Sequence, residues 1–392
     1  MFKKTLAAVA VLGAFAGSAV AANVTLYGVV DEALNYTYSK IGDGDASHNY
    51  GLTSGVTAGN RWGLKGSEEL GNGYTVGFQL ESGFSADDGK LGQGGRLFGR
   101  AASMYVAGPF GTLAAGRDGA LDSGLGTVSY IYTYVPFGTG WAGAGTNAYY
   151  KFGYADRADN TLTYITPDLN GLKVYAQYSF QADGQEEASA NNNNRYAALG
   201  AKYDAGAFST GIVVDYLMKG EKPVYEVSFE DSAPSQAPGK TDEDLKEQLK
   251  VSYGASYDFG VTKVMGMAQY TKHASGVGPA VVPAFVYNGT KWESKKLNFG
   301  GDWEGWNLSF GNITPVAGGD LLLQVSYVSV KDKAEDSDAK YSGYGFGAGY
   351  KYPLSKRTAV YTYGGYHQLK IKDDDTTKMK FGEVGLGLVH KF

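Results

Sequence analysis

From Tyr74 to Glu81 the chain alternates residue by residue, with Tyr74, Val76, Phe78 and Leu80 on one side of an extended strand and Thr75, Gly77, Gln79 and Glu81 on the other. The pattern recurs. Leu172, Val174, Ala176 and Tyr178 oppose Lys173, Tyr175, Gln177 and Ser179, and Leu249, Val251, Tyr253 and Tyr257 oppose Lys250, Ser252 and Ser256. At the C-terminal end Val384, Leu386, Leu388, His390 and Phe392 share a face opposite Glu383, Gly385, Gly387 and Lys391. Such a strand can stand between lipid and water, or between a soluble core and water. Alternation alone leaves both open.

The connections separate the two. Marking strands by alternation gives about sixteen, from 22–39 to 378–392, an even number of the kind that closes a single-chain barrel. Among them, 95–108 is predicted to carry Arg96 and Arg100, and 302–314 has a start blurred by Gly300-Gly301-Asp302-Trp303. Tight turns are predicted at Gly71-Asn72, Pro109-Phe110, Pro167–Gly171, Asp204–Gly206, Asp258–Gly260 and Pro353–Lys356, all built from turn-forming residues. Between them lie long polar loops at 40–57, 85–94, 118–157, 183–192, 220–247, 274–301, 332–339 and 371–377. Short turns on one rim and long loops on the other are the asymmetry of an outer-membrane barrel, and a soluble sandwich has no reason to sort its connections so. The fold reading is all-β: a transmembrane antiparallel β-barrel of about 16 strands, with short periplasmic turns, long extracellular loops and one long loop folded into the lumen.

Composition agrees. Gly (58), Tyr (31) and Phe (18) are abundant, as strands and turns require. Cys is absent, which excludes disulfides, thiolate metal sites and a cysteine nucleophile, so an exported chain of this length needs another staple, such as a closed hydrogen-bonded wall. The N-terminus reads Met1-Phe2-Lys3-Lys4, then an apolar run from Leu6 to Phe15, then Ser18-Ala19-Val20-Ala21, the layout of a secretory leader. We expect 1–21 to be a cleaved signal peptide and 22–392 a single barrel domain. Loss of Lys3 and Lys4 takes the formal net charge from −5 to −7, with no basic stripe of the kind that binds nucleic acid. Asp373-Asp374-Asp375 reads as a solvated or lipopolysaccharide-facing contact for divalent ions rather than a dedicated metal site, and no cofactor motif is present.

Residues 118–157 form the longest connection, and loops of that length are usually functional. Tyr130, Tyr132, Tyr134, Phe137, Trp141, Tyr149 and Tyr150 stand there amid Gly138, Gly140, Gly143 and Gly145, a composition suited to packing on a wall. An unobstructed barrel of this size would be too wide to discriminate, so this segment is the expected constriction. Strand parity puts Arg61 and Lys65 on the inner face opposite Trp62 and Leu64, sets Arg96 and Arg100 together, and aligns Arg157 with Thr161 and Thr163. A charge facing lipid at mid-depth costs about 2–4 kcal/mol, so these side chains belong in the lumen. With Asp118 and Asp122 the only acids between 118 and 151, the constriction should carry positive potential and some preference for anions. The competing reading is that the arginines pair with lumen carboxylates such as Glu81 and stiffen the wall.

Together these residues give the chain a family likeness. It resembles the general diffusion porins of Gram-negative bacteria, most closely the trimeric sixteen-stranded type of beta-proteobacteria, over nearly the whole mature chain. The resemblance lies in Val24-Thr25-Leu26-Tyr27-Gly28-Val29-Val30-Asp31, Arg61-Trp62-Gly63-Leu64-Lys65-Gly66-Ser67-Glu68, Phe78-Gln79-Leu80-Glu81 and Leu97-Phe98-Gly99-Arg100. It continues in Phe110-Gly111-Thr112-Leu113, Gly116-Arg117, Asn160-Thr161-Leu162-Thr163-Tyr164 and Gly387-Leu388-Val389-His390-Lys391-Phe392. The resemblance implies passive diffusion of small hydrophilic solutes and ions, a homotrimer embedded in outer-membrane lipid and lipopolysaccharide, and arginines at Arg61, Arg100 and Arg157 lining the constriction. It also makes Phe392 the terminal signal read by the assembly machinery. Pro136-Phe137-Gly138 lacks the Glu of the family's Pro-Glu-Phe-Gly turn, so no loop carboxylate is carried over.

Two rivals differ in kind. A catalytic barrel needs a histidine beside a nucleophile at the rim, but His48, His273, His367 and His390 sit in no nucleophile motif. A substrate-specific channel for sugars or organic anions would use the same barrel with an aromatic slide on the loop. The expected lining set is Arg61, Lys65, Glu81, Arg96, Arg100, Asp118, Asp122 and Arg157.

Overall fold

The computed structural model describes residues 24–145, 152, 156–186, 190–220, 223–230, 233–241, 246–274, 285–287, 292–294, 302–333, 339–372 and 376–392. The leader expected at 1–21, Tyr149 and Tyr150 of the long loop, and the Asp373–Asp375 triplet lie outside these residues.

In chain order the strands are β1 (Thr25–Ile41), β2 (Ser47–Ser54), β3 (Arg61–Gly71), β4 (Tyr74–Gly83), β5 (Ala101–Gly108), β6 (Gly111–Gly119), β7 (Arg157–Ile165) and β8 (Leu172–Ser179). There follow β9 (Arg195–Ala205), β10 (Phe208–Met218), β11 (Pro223–Glu230), β12 (Ala233–Thr241), β13 (Gln248–Asp258), β14 (Lys263–Ala274), β15 (Phe285–Tyr287) and β16 (Trp292–Ser294). The last five are β17 (Trp303–Val316), β18 (Gly319–Asp332), β19 (Lys340–Pro353), β20 (Thr358–Lys372) and β21 (Thr376–Lys391). Sixteen of them pair antiparallel with their neighbours in a closed ring, β1, β3 to β10, β13, β14 and β17 to β21. The seam is β1 on β21, from Val29 opposite Lys391 to Ile41 opposite Met379.

Closure leaves the backbone of a spanning strand no unpaired edge in lipid. At the seam's lower end the Gly28 and Phe392 amides donate to each other's carbonyls at 3.0 and 3.1 Å. A Cβ on Gly28 would lie 2.2 Å from the Phe392 ring, so the terminal aromatic rests on a position that only glycine leaves open.

The faces follow the sequence pattern. Leu26, Leu34, Met104, Leu199, Tyr253, Leu308, Phe310, Val325, Phe346 and Leu386 point outward and are exposed, while Gln177, Ser252, Gln269, Asn307 and Ser326 are buried on the inner face. Exposed aromatics pair near the rims, as in Tyr74 with Phe110, Tyr257 with Phe259 and Trp306 with Tyr327, where amphipathic rings suit the membrane boundary. No helix among the described residues is long and apolar enough to cross a membrane.

The expected sorting of connections holds. Two-residue links join β3 to β4 and β17 to β18, with Asn72-Gly73 and Ala317-Gly318 all at positive φ, the twist that tight hairpins need. The sequence reading separates the strands 302–314 and 320–331 here without naming the turn between them.

Three expectations are corrected. The strand expected at 95–108 begins at Ala101, because Gln93-Gly94-Gly95 forms a tight 3-10 turn with Gly94 at φ 70°. The loop expected at 40–57 contains β2, which pairs with the outer half of β1, for example Leu34 opposite Leu52 and Tyr36 opposite Tyr50. The loops at 220–247 and 274–301 contain the hairpins β11–β12 and β15–β16.

Candidate functional site: the lumen between the inserted loop and an arginine wall

The segment between β6 and β7 turns into the barrel and follows its inner wall. Successive residues touch successive strands. Leu121 donates its amide to Gln177 Oε1 on β8 at 2.8 Å, Tyr130 its hydroxyl to the Ile212 carbonyl on β10 at 2.7 Å, and Tyr134 lies 3.1 Å from Ser209 Oγ. Tyr132 reaches Gln269 on β14 and the Phe137 amide reaches Gln324 on β18, both at 3.4 Å. Gly143 closes the path on β20 and β21, its amide donating to Glu383 Oε2 at 2.9 Å and its carbonyl 2.5 Å from His367 Nε2. Trp141 donates its amide to the Val56 carbonyl and packs edge-on against Tyr361 at 5.6 Å.

Two apolar clusters hold this path. Tyr130, Ile131, Tyr132, Tyr134 and Val135 pack with Val213, Leu217 and Met267, and Phe137, Trp141 and Ala144 pack with Leu322, Tyr361 and Tyr363. The wall beneath is built from small residues, since a Cβ at Gly254 would lie 2.3 Å from the Tyr134 ring and one at Gly347 2.0 Å from the Ala144 carbonyl. Burial pushes the Tyr134 hydroxyl up to about 12, so Tyr134 presents no phenolate at neutral pH. In the stretch 121–145 the exposed positions are Gly126, Thr127, Thr133 and Thr139, which leave that part of the loop hydroxylated and uncharged, while Asp156 is exposed where the loop returns to β7.

The strands the loop does not cover, β3 to β7, carry the charge. Arg100 Nε donates to Glu81 Oε1 at 2.7 Å, and Arg61 Nε lies 3.7 Å from Glu81 Oε2. The Tyr27 hydroxyl donates to the same carboxylate at 2.8 Å. Arg96 Nη1 bonds both oxygens of Asp159 at 2.8 Å, and Arg117 Nη1 reaches Asp159 Oδ1 at 2.6 Å. Arg157 donates to the Arg100 carbonyl at 2.9 Å and makes no ion pair among the described residues. Lys65 is exposed, with its Nζ 5.3 Å from the Tyr27 ring centroid. Four guanidinium groups thus share two carboxylates on one side of the lumen, with the Arg157 guanidinium beside them.

The structure brings together Arg61, Lys65, Glu81, Arg96, Arg100 and Arg157, though Arg96 arrives from a loop rather than the strand expected for it. Two expectations fail. Asp118 is 4% exposed, its carboxylate taken by the amides of Gly119 at 2.6 Å and Thr127 at 3.0 Å and by the Thr127 hydroxyl. Asp122 is fully buried against Lys250 Nζ at 3.1 Å and Ser252 Oγ at 2.8 Å. Both turn away from the lumen because a carboxylate at the loop's root is the acceptor that its own amides and the wall lysine need. The sequence reading missed Arg117, Asp159 and the amides Gln177, Gln269 and Gln324. The amides share the inward parity of their strands, while Arg117 is displaced by the bulge between Gly116 and Asp118.

Comparison with known proteins gives concordant results. A family model described as Gram-negative porin matches residues 7–374. An outer membrane porin protein of Bordetella pertussis is 31% identical over 411 residues, covering 100% of both chains. Outer membrane porin protein 32 of Delftia acidovorans is 31% identical over 394 residues, covering 98% of this chain and 94% of its own. The solved structure of an anion-selective porin from Comamonas acidovorans is similar with a TM-score of 0.65 and 25% identity, over 95% of this chain and 100% of that one.

Proposed function

We propose, from the premise that this chain belongs to the Gram-negative porin family and forms an outer-membrane channel for passive diffusion of small hydrophilic solutes and ions, that its narrowest passage favours anions. One observation carries this reading: Arg61, Arg96, Arg100 and Arg117 share Glu81 and Asp159 on the uncovered wall with Arg157 beside them, while Asp118 and Asp122 are spent inside the loop's seam. Guanidinium groups stay charged across the physiological range, so the excess is permanent. Opposite them the described stretch 121–145 exposes threonine hydroxyls and no carboxylate, so this part of the loop does not cancel the field. The similarity to a porin described as anion-selective supports the same direction.

Glu81 and Asp159 also hold their arginines in fixed poses, so stiffening and selectivity come from one arrangement. Lys65 extends the positive lining, and no catalytic role is assigned to any residue. The same reading takes the chain as a homotrimer in outer-membrane lipid and lipopolysaccharide, with 1–21 removed on export and Phe392 as the terminal residue recognised by the assembly machinery. In support, Phe392 stands at a strand end on the outward face, 45% exposed.

The test is the zero-current potential of the protein in planar bilayers across a potassium chloride gradient. The expected sign is that of chloride carrying more current than potassium. Cation preference would overturn the proposal. Liposome swelling separates general diffusion, with rates falling smoothly with solute size, from a substrate-specific channel that saturates with one sugar or organic anion.

A further inference from the structure

Behind the inserted loop, away from the arginine wall, lies a buried ionic cluster that the conduction path does not use. Lys250 projects inward from β13 with its side chain 6% exposed. Its Nζ stands 3.1 Å from Asp122 Oδ2 on the outgoing arm of the loop, 3.4 Å from Asp215 Oδ2 on β10, and 3.3 Å from the Phe152 carbonyl on the returning arm. An ammonium has three donors, and here three acceptors meet it, one from each arm and one from the wall.

The acceptors are themselves fixed. Asp215 faces Lys250 directly across the β10–β13 pairing and takes the Tyr196 hydroxyl at 3.2 Å. Asp122 takes the Ser252 hydroxyl at 2.8 Å, and Ser252 Oγ in turn accepts from Gln269 Nε2 at 2.8 Å. Removing three charges from water is costly, and an apolar trio of equal volume could hold the loop as tightly. Directional contacts supply what apolar packing does not, a single position along the wall.

We infer that Lys250 is a positioning residue that clamps both arms of the inserted loop to one place on the wall and thereby fixes the width of the aperture. The chain between Asp122 and Phe152 includes the stretch that faces the lumen, so a tie at both its ends limits how far that stretch can swing. The tip has separate ties at Glu383 and His367, and the outgoing arm keeps Leu121 on Gln177 and Tyr130 on Ile212. Removal of Lys250 therefore frees above all the returning arm at Phe152 and the position of Asp122. The inference rests on the channel itself and not on which ion it prefers.

Single-channel recording of Lys250→Met in planar bilayers is the test. We expect a rise in open-channel current noise and in mean conductance, with the zero-current potential keeping the sign found for the intact protein. Asp122→Cys combined with Ser252→Cys replaces the charged tie by a covalent one in a chain that otherwise has no cysteine. Its oxidised form should conduct as quietly as the intact channel, and reduction with dithiothreitol should bring on the noise. An assembled Lys250→Met barrel with unchanged conductance and noise would overturn the inference. So would a cysteine pair whose traces are the same oxidised and reduced, a result that also decides the matter if Lys250→Met fails to assemble. The sign of the intact protein's zero-current potential enters neither outcome, so the anion proposal stands or falls separately.

Discussion

Arg157 and Asp159 lie two residues apart on β7 and act in opposite senses. Asp159 neutralises parts of Arg96 and Arg117, whereas Arg157 donates only to a backbone carbonyl among the contacts described above. Replacing Arg157 with Gln should therefore move the zero-current potential toward cations, and Asp159→Asn, which leaves two guanidiniums without their carboxylate, should move it toward anions. Equal or reversed shifts in the salt-gradient measurement would argue that these groups do not line the conducting path. Arginine remains protonated and the loop tyrosines remain neutral, so the selectivity should be flat between about pH 6 and 9; a potential that falls steadily as pH rises would point to a lysine or histidine instead.

At the scale of the element, the inserted loop is held by aromatics seated on glycines. Tyr134 is 1% exposed, and truncating a large buried aromatic to alanine costs about 3–5 kcal/mol, here charged to loop docking rather than to the barrel. Tyr134→Ala should leave the barrel assembled and raise its conductance. Gly365→Val acts in the other direction, because a Cβ there would lie 2.0 Å from the Gly143 carbonyl and must push the loop tip into the lumen; conductance should fall. The strands were legible in the sequence because lipid and water impose period two on every spanning segment, as in 74–81 and 172–179. The loop's aromatic content announced that it packs on a wall. Which wall it covers was not legible, since Tyr130 meets Ile212 and Gly143 meets Glu383 across 82 and 240 residues. Asp118 and Asp122 were misplaced for the same reason: local parity cannot say that a loop's own amides and a distant lysine will claim a carboxylate.

For the whole molecule, closure is the property that everything else depends on. The seam brings Gly28 and Phe392 together, and a Cβ on Gly28 would also lie 2.7 Å from the Arg61 carbonyl. Gly28→Leu should obstruct both neighbours of β1 at once, lowering the fraction of protein that runs as a folded, heat-modifiable species on detergent gels; an unchanged fraction would show the seam to be more tolerant than its geometry allows. The barrel itself predicts where water runs, between the inserted loop and the β3–β7 wall. Because the chain has no cysteine, Thr133→Cys on the loop's exposed side and Met104→Cys on the outward face each give a single thiol. Exposure of each channel in a bilayer to a small anionic methanethiosulfonate should lower the current through Thr133→Cys and leave Met104→Cys unchanged. A Thr133→Cys channel that conducts undiminished after modification would mean that ions take another route.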